Sequence, residues 1–210
     1  MSPLDHAHDI LQFWFGPKPY TAARVSERMN FWFGNTGPRE VLSNKDSDIR
    51  QRFGAAIQRA AIGELDSWAD SPRRRLGLII LLDQFPRNVY RGTAQAYAVD
   101  ARAAALALEG LHTAADATLA LVERIFFYMP LQHAESLELQ DESVAATRRL
   151  LAEAPKGVAK YFASMLRFAE LHRTIIAEFG RFPHRNTMLG RESTPEELKF
   201  LRDGGPRFGS

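Results

Sequence analysis

The chain has 210 residues and a mass of 23.7 kDa, enough for one domain with a sizeable core; 45% hydrophobic and 25% charged residues exclude a disordered polypeptide. The absence of cysteine removes disulfides, thiolate nucleophiles, iron–sulfur clusters and cysteine zinc sites. A formal net charge of +2 and a pI near 9.0 rest on arginine (22, against 5 lysines), but the only basic run is Arg73-Arg74-Arg75, so no nucleic-acid partner is expected.

Helix signals then follow one another along the chain. Ser2-Pro3 supplies an N-cap and a first-turn proline for a helix that Gly16-Pro17 must stop. Residues 46–62 carry Ile49, Phe53, Ala56, Ile57, Ala60 and Ala61 on one stripe, closed by Gly63. Ser71-Pro72 opens a helix through Phe85, whose stretch Leu76–Leu82 is apolar all round and so predicts a central, buried position. At seven residues this longest apolar run is far short of a membrane span, and no membrane association is expected. Thr93 is placed to cap a helix over 94–109 ending at Gly110. Further helices are predicted near 117–128 (stopping at Met129-Pro130), over about 131–153, over about 158–179 ending at Gly180, and from Thr194-Pro195-Glu196-Glu197 onward. No stretch alternates as a strand does. The expectation is a single all-α domain over 1–210, built of antiparallel helix pairs. The acids near the N-terminus, where a secretory signal would be basic and then apolar, predict a cytoplasmic protein.

Two internal echoes stand out. Phe13-Trp14-Phe15-Gly16 recurs as Phe31-Trp32-Phe33-Gly34 and reads as aromatic plugs at helix ends. Phe85-Pro86-Arg87-Asn88 recurs, with one insertion, as Phe182-Pro183-His184-Arg185-Asn186. Because proline disfavours helix in the residue before it, both segments are expected to leave a helix as a turn with the arginine free to project. An acid precedes each, Asp83 and Glu178, and either could pair with its arginine. With Arg181 and Arg191 nearby, a shared anion-binding face is the functional reading.

Histidines add to it. Counted along one predicted helix, His133 and Gln140 share a stripe with Leu137 and Val144; on the long helix His172 lies in the arc of Phe162, Met165 and Ile176. His133-Ala134-Glu135 lacks the His-Glu-x-x-His spacing of zinc proteases and the Cys-x-x-Cys partner of nucleobase deaminases. Zinc held by His133, His172, His184 and a carboxylate is the weaker alternative, and no metal is assigned. No Walker loop, Gly-x-Gly-x-x-Gly or Gly-x-Ser-x-Gly is present, so no cofactor is named either.

Together Ile79–Asn88, Phe127–Glu135 and Phe179–Asn186, with Gly190-Arg191 and Ser193-Thr194-Pro195-Glu196-Glu197, resemble a bacterial family, domain of unknown function 924, over about residues 10–203. Phe13–Gly16 and Trp68 fit it too. The family's His-Ser-Glu reads His-Ala-Glu here, which argues against a required hydroxyl at position 134. The resemblance implies a right-handed helical stack similar to tetratricopeptide-repeat proteins, without an established activity.

The site reading is a pocket for a small anionic or polar molecule. Asp83, His133, Glu135 and His172 are its candidates for proton transfer in a hydrolase or transferase. Arg87, Asn88, Arg181, His184, Arg185, Asn186 and Arg191 are its candidates for binding. The alternatives are a tetratricopeptide-like module whose arginines read an acidic peptide, and motifs that only lock helix ends together.

Overall fold

The computed structural model describes residues 3–34 and 39–208, with side chains from residue 7 and outside 35–43. Ser2, the expected first cap, lies outside the described residues. Helix α1 (Pro3–Phe15) stops at Gly16, which adopts a φ of +71° and donates its N–H to Gln12 O. Helix α2 (Ala22–Phe33), capped by Thr21, was not expected, and α3 (Arg39–Ala61) begins earlier than the stripe at 46 suggested. The two Phe-Trp-Phe-Gly segments end α1 and α2 and pack together as aromatic plugs. Trp32 donates Nε1–H to Trp14 O at 2.9 Å, and Phe126 sits 4.5 Å from the Trp32 ring and 5.5 Å from Trp14 and Phe15.

Helix α4 (Pro72–Ile79) runs through a π-helical turn (Ile80–Gln84) into α5 (Phe85–Val89). Leu76 and Leu78–Leu82 have no solvent exposure, as an all-apolar helix requires, and α1, α3, α6 (Asp100–His112) and α7 (Leu121–His133) pack around the composite rod. Phe85-Pro86-Arg87-Asn88, expected to leave the helix as a turn, is instead helical. In the π turn Phe85 N–H donates to Ile80 O, five residues back, and this wider ring gives the following proline room that a regular α turn lacks.

Thr93 does not cap residue 94. Its hydroxyl donates backwards to Tyr90 O, a short 3₁₀ turn follows at Ala94–Ala96, and α6 starts at Asp100 and runs to His112. Gly110 lies inside α6, where a Cβ would come within 2.4 Å of Phe127 Cζ; the glycine lets α6 and α7 approach.

Helix α7 (Leu121–His133) continues through Pro130 rather than stopping there. A proline in a helix interior costs about 3 kcal/mol. Each large apolar side chain buried along Val122–Leu131 returns roughly 1.5–3 kcal/mol, so packing prevails. The break comes instead at Ala134, which is extended. Ser136 caps α8 (Leu137–Glu153), and Gln140 Nε2–H donates to Gln132 O and Ala134 O at 2.6 and 2.8 Å. His133 and Gln140 therefore sit on different helices, not on one stripe.

Helix α9 (Ala159–Phe179) ends at Gly180 in left-handed geometry, and packs extensively on α8. A 3₁₀ turn (Pro183–Arg185) and α10 (Pro195–Arg202), with a reciprocal Thr194–Glu197 capping box, complete the chain. The described residues form one compact helical domain without strands, and none of their helices is long and apolar enough to cross a membrane.

Candidate functional site

The π turn places Asp83, with no solvent exposure, against the last residue of α7. His133 Nδ1 lies 2.7 Å from Asp83 Oδ1, and Gln84 Nε2–H donates to Oδ2. One turn on, Arg87 Nη1 reaches Asp83 O at 2.7 Å and Asp83 Oδ1 at 3.2 Å. The same guanidinium grips Asp100 with two hydrogen bonds of 2.9 and 2.7 Å. Arg185, from the 3₁₀ turn after α9, shares Asp100 Oδ2 at 3.3 Å and donates to His133 O at 3.0 Å. Its partner is thus Asp100 and not Glu178, which is exposed. Asp100 is the first residue of α6, where the helix dipole favours a carboxylate. Tyr97 lies beneath both arginines, with ring centroid distances of 5.6 Å to Arg87 and 4.7 Å to Arg185.

Burial alone would push the Asp83 carboxyl up; Arg87, His133 and Gln84 outweigh it and hold the group far below the usual range. An anionic Asp83 only accepts, so His133 carries its proton on Nδ1 and presents an unprotonated Nε2. Burial and then Arg87 lower the His133 imidazole, with Asp83 opposing. His172 donates Nδ1–H to Phe168 O at 2.7 Å, its ring 6.1 Å from that of His133; burial, with His133, lowers it to about 3. Burial and Arg185 lower His184 to about 4. Burial, then Arg87, lowers Arg185 to about 10, still cationic at neutral pH.

These groups meet at a cavity of about 680 Å³ between α2, α5, α7 and α9. Of the sequence candidates, Arg87, Asn88, His133, His172, His184 and Arg185 line it. Asp83 stands one layer behind, in contact with His133. Lys45, Arg87, Arg91 and Arg185 are the cationic side chains of the wall, and no aspartate or glutamate is among the described residues that line it. Two buried nitrogens on lining residues, Arg185 Nε and His184 Nδ1, find no hydrogen-bond partner among the described residues.

The remaining candidates do not reach the cavity. Glu135 accepts two hydrogen bonds from Arg191, at 2.6 and 2.9 Å, and one from Phe182 N–H at 2.9 Å. Arg181 makes a two-pronged pair with buried Glu197 at 2.7 and 2.9 Å, and Asn186 donates to Ser193 Oγ and Glu197 Oε2. These four side chains tie the segment after α9 to the connection between α7 and α8 and to α10, which fixes where His184 and Arg185 stand. Among the described residues no three His, Asp or Glu side chains converge as a metal cage. Asp100, Tyr97, Lys45, Tyr161 and Phe168 were not singled out from the sequence, and Trp32 and Phe33, which complete the apolar wall, were read there only as an aromatic plug. An acid opening a helix was the one available signal, at Asp100.

The model of a bacterial protein family of unknown function, DUF924, matches residues 10–205. No curated protein matches the chain. Among solved structures, a protein of unknown function from Agrobacterium tumefaciens, ATU0120, is 35% identical and superposes with a TM-score of 0.78, covering 97% of this chain and 100% of that one.

Proposed function

The chain belongs to this DUF924 family, and we propose that its cavity binds a small anionic molecule whose reaction His133 serves by moving a proton. The observation that carries the reading is the composition of the wall: four cations, three imidazoles held neutral by burial, and, among the described residues, no acid. Asp83 and Asp100 position Arg87 from behind and leave the wall itself without a repelling carboxylate.

A carboxylate or phosphoryl group would lie against the guanidiniums. A water, or the hydroxyl of a second substrate, would give its proton to His133 Nε2 as its oxygen bonds to the phosphorus or acyl carbon of an ester; the ester bond to the leaving alkoxide breaks, and the imidazolium returns the proton to that alkoxide. Asp83 would hold the tautomer and stabilise the imidazolium formed. That is hydrolase or transferase chemistry.

A thermal-shift panel tests this by pairing carboxylates and phosphate esters with neutral amides and alcohols of the same size. At one hundred times its dissociation constant an anion adds about 2.7 kcal/mol, a rise of roughly 5–10 °C for a chain of this length. Arg185→Gln is expected to lose that response. Equal shifts from the neutral partners, or none from any small molecule together with a shift from an acidic peptide, would overturn the reading in favour of a tetratricopeptide-like peptide module.

A further inference from the structure

The anion reading leaves most of the cavity unexplained. About 680 Å³ is far more than a carboxylate or phosphoryl group needs, and much of the wall is apolar. Tyr161, Met165, Phe168 and His172 follow one another at four-, three- and four-residue steps on α9, so they share one face. From His172 back to Tyr161 is eleven residues at 1.5 Å each, about 16 Å of helix. Trp32 and Phe33 of α2 line the same cavity. Phe33 and Phe168 are 40% and 45% exposed, whereas every other aromatic side chain is buried or half-buried, and both line this one cavity. Aromatic surface left open in a concave site rimmed by cations suits a ligand with an apolar body.

We propose, resting on the anion reading above, that the ligand is an amphiphile: an anionic head at Arg87, Arg185 and His133, and an aliphatic or aromatic body lying along the Tyr161–Phe168 strip. Small dicarboxylates and inorganic phosphate would occupy only the head position and leave the strip wet. The strip adds affinity in proportion to apolar area covered, which makes the ligand's chain length the measurable variable.

Titration calorimetry of the full chain with acetate, butanoate, hexanoate and octanoate tests it, with octanamide as the neutral control and octyl phosphate as the second head group. Affinity is expected to rise about fourfold per methylene and to fall sharply for octanamide. Phe168→Ala, at an exposed position, is expected to weaken octanoate about tenfold while acetate binds as before. A flat series in which all the anions bind overturns the amphiphile and leaves the anion site standing. A steep series in which octanamide equals octanoate overturns the anion site, and the amphiphile with it. Binding by none of them overturns both. Should octyl phosphate bind and octanoate not, the amphiphile holds with a phosphoryl head.

Discussion

Asp83 accepts from His133 and Gln84, faces Arg87, and has no contact with solvent. Removing its charge without changing its shape strands part of the Arg87 guanidinium, and breaking a buried pair this way costs about 3–5 kcal/mol. Arg87 keeps both hydrogen bonds to Asp100, so Asp83→Asn is expected near the lower end of that range in urea unfolding. The same substitution removes a group that holds the His133 imidazole up against burial and Arg87. His133 should then titrate at still lower pH by NMR, and an unchanged titration would show that the carboxylate does not govern this ring. The Asp83–Arg87 pair was readable beforehand from the acid just ahead of the arginine; that the two meet across one turn of continuous helix, not across the expected turn, was not. Arg185 with Asp100 was not: 85 residues separate them, and only the turn at Phe182-Pro183 decides which acid the guanidinium meets.

Among the elements, some of the end signals were readable, though not the cap expected at Thr93 or the stop expected at Gly110. Thr194-Pro195-Glu196-Glu197 forms the capping box its spacing predicts, and Gly16 and Gly180 end helices in left-handed geometry. The elements that build the site departed from such local signals. Pro86 stays helical behind a π turn, Pro130 stays inside α7, and α7 breaks three residues later. That break depends on a side chain: Gln140, from the next helix, satisfies the terminal carbonyls of Gln132 and Ala134. Gln140→Leu keeps the volume and removes the donor. It is expected to lower stability by about 1–3 kcal/mol, seen as a fall in melting temperature of roughly 2–10 °C. Because His133 is the last residue of α7, the variant should also broaden its imidazole resonances; an unaltered melting temperature would mean the α7 carbonyls find other partners.

At the scale of the molecule, the cavity concentrates three histidines that the fold holds neutral, and this sets how stability responds to acid. His172 and His184 are lowered to about 3 and 4, and His133 is lowered in the same direction, against an unfolded value near 6.5. Below pH ~6.5 the unfolded chain binds protons that the native state refuses, so stability must fall as pH drops through that point. Each histidine contributes a slope of up to about 1.4 kcal/mol per pH unit until its own native value is reached. The depressed carboxylates, among them Asp83, Glu123, Glu135 and Glu197, contribute stability that is complete above their unfolded values near 4 and is lost below them. The window from about pH 6.5 to 4.5 therefore belongs to the histidines. Urea midpoints at pH 7, 6, 5, 4.5, 4 and 3.5 should decline steadily in the wild type, whereas in His172→Gln/His184→Gln the decline down to pH 4.5 should be much shallower and the steep limb below pH 4.5 retained. Equal slopes in both proteins would show that these imidazoles titrate in the native state as they do in the unfolded chain. An anion seated among them would favour their charged forms, so its binding should tighten as pH falls toward 5, with proton uptake measurable as a buffer-dependent heat.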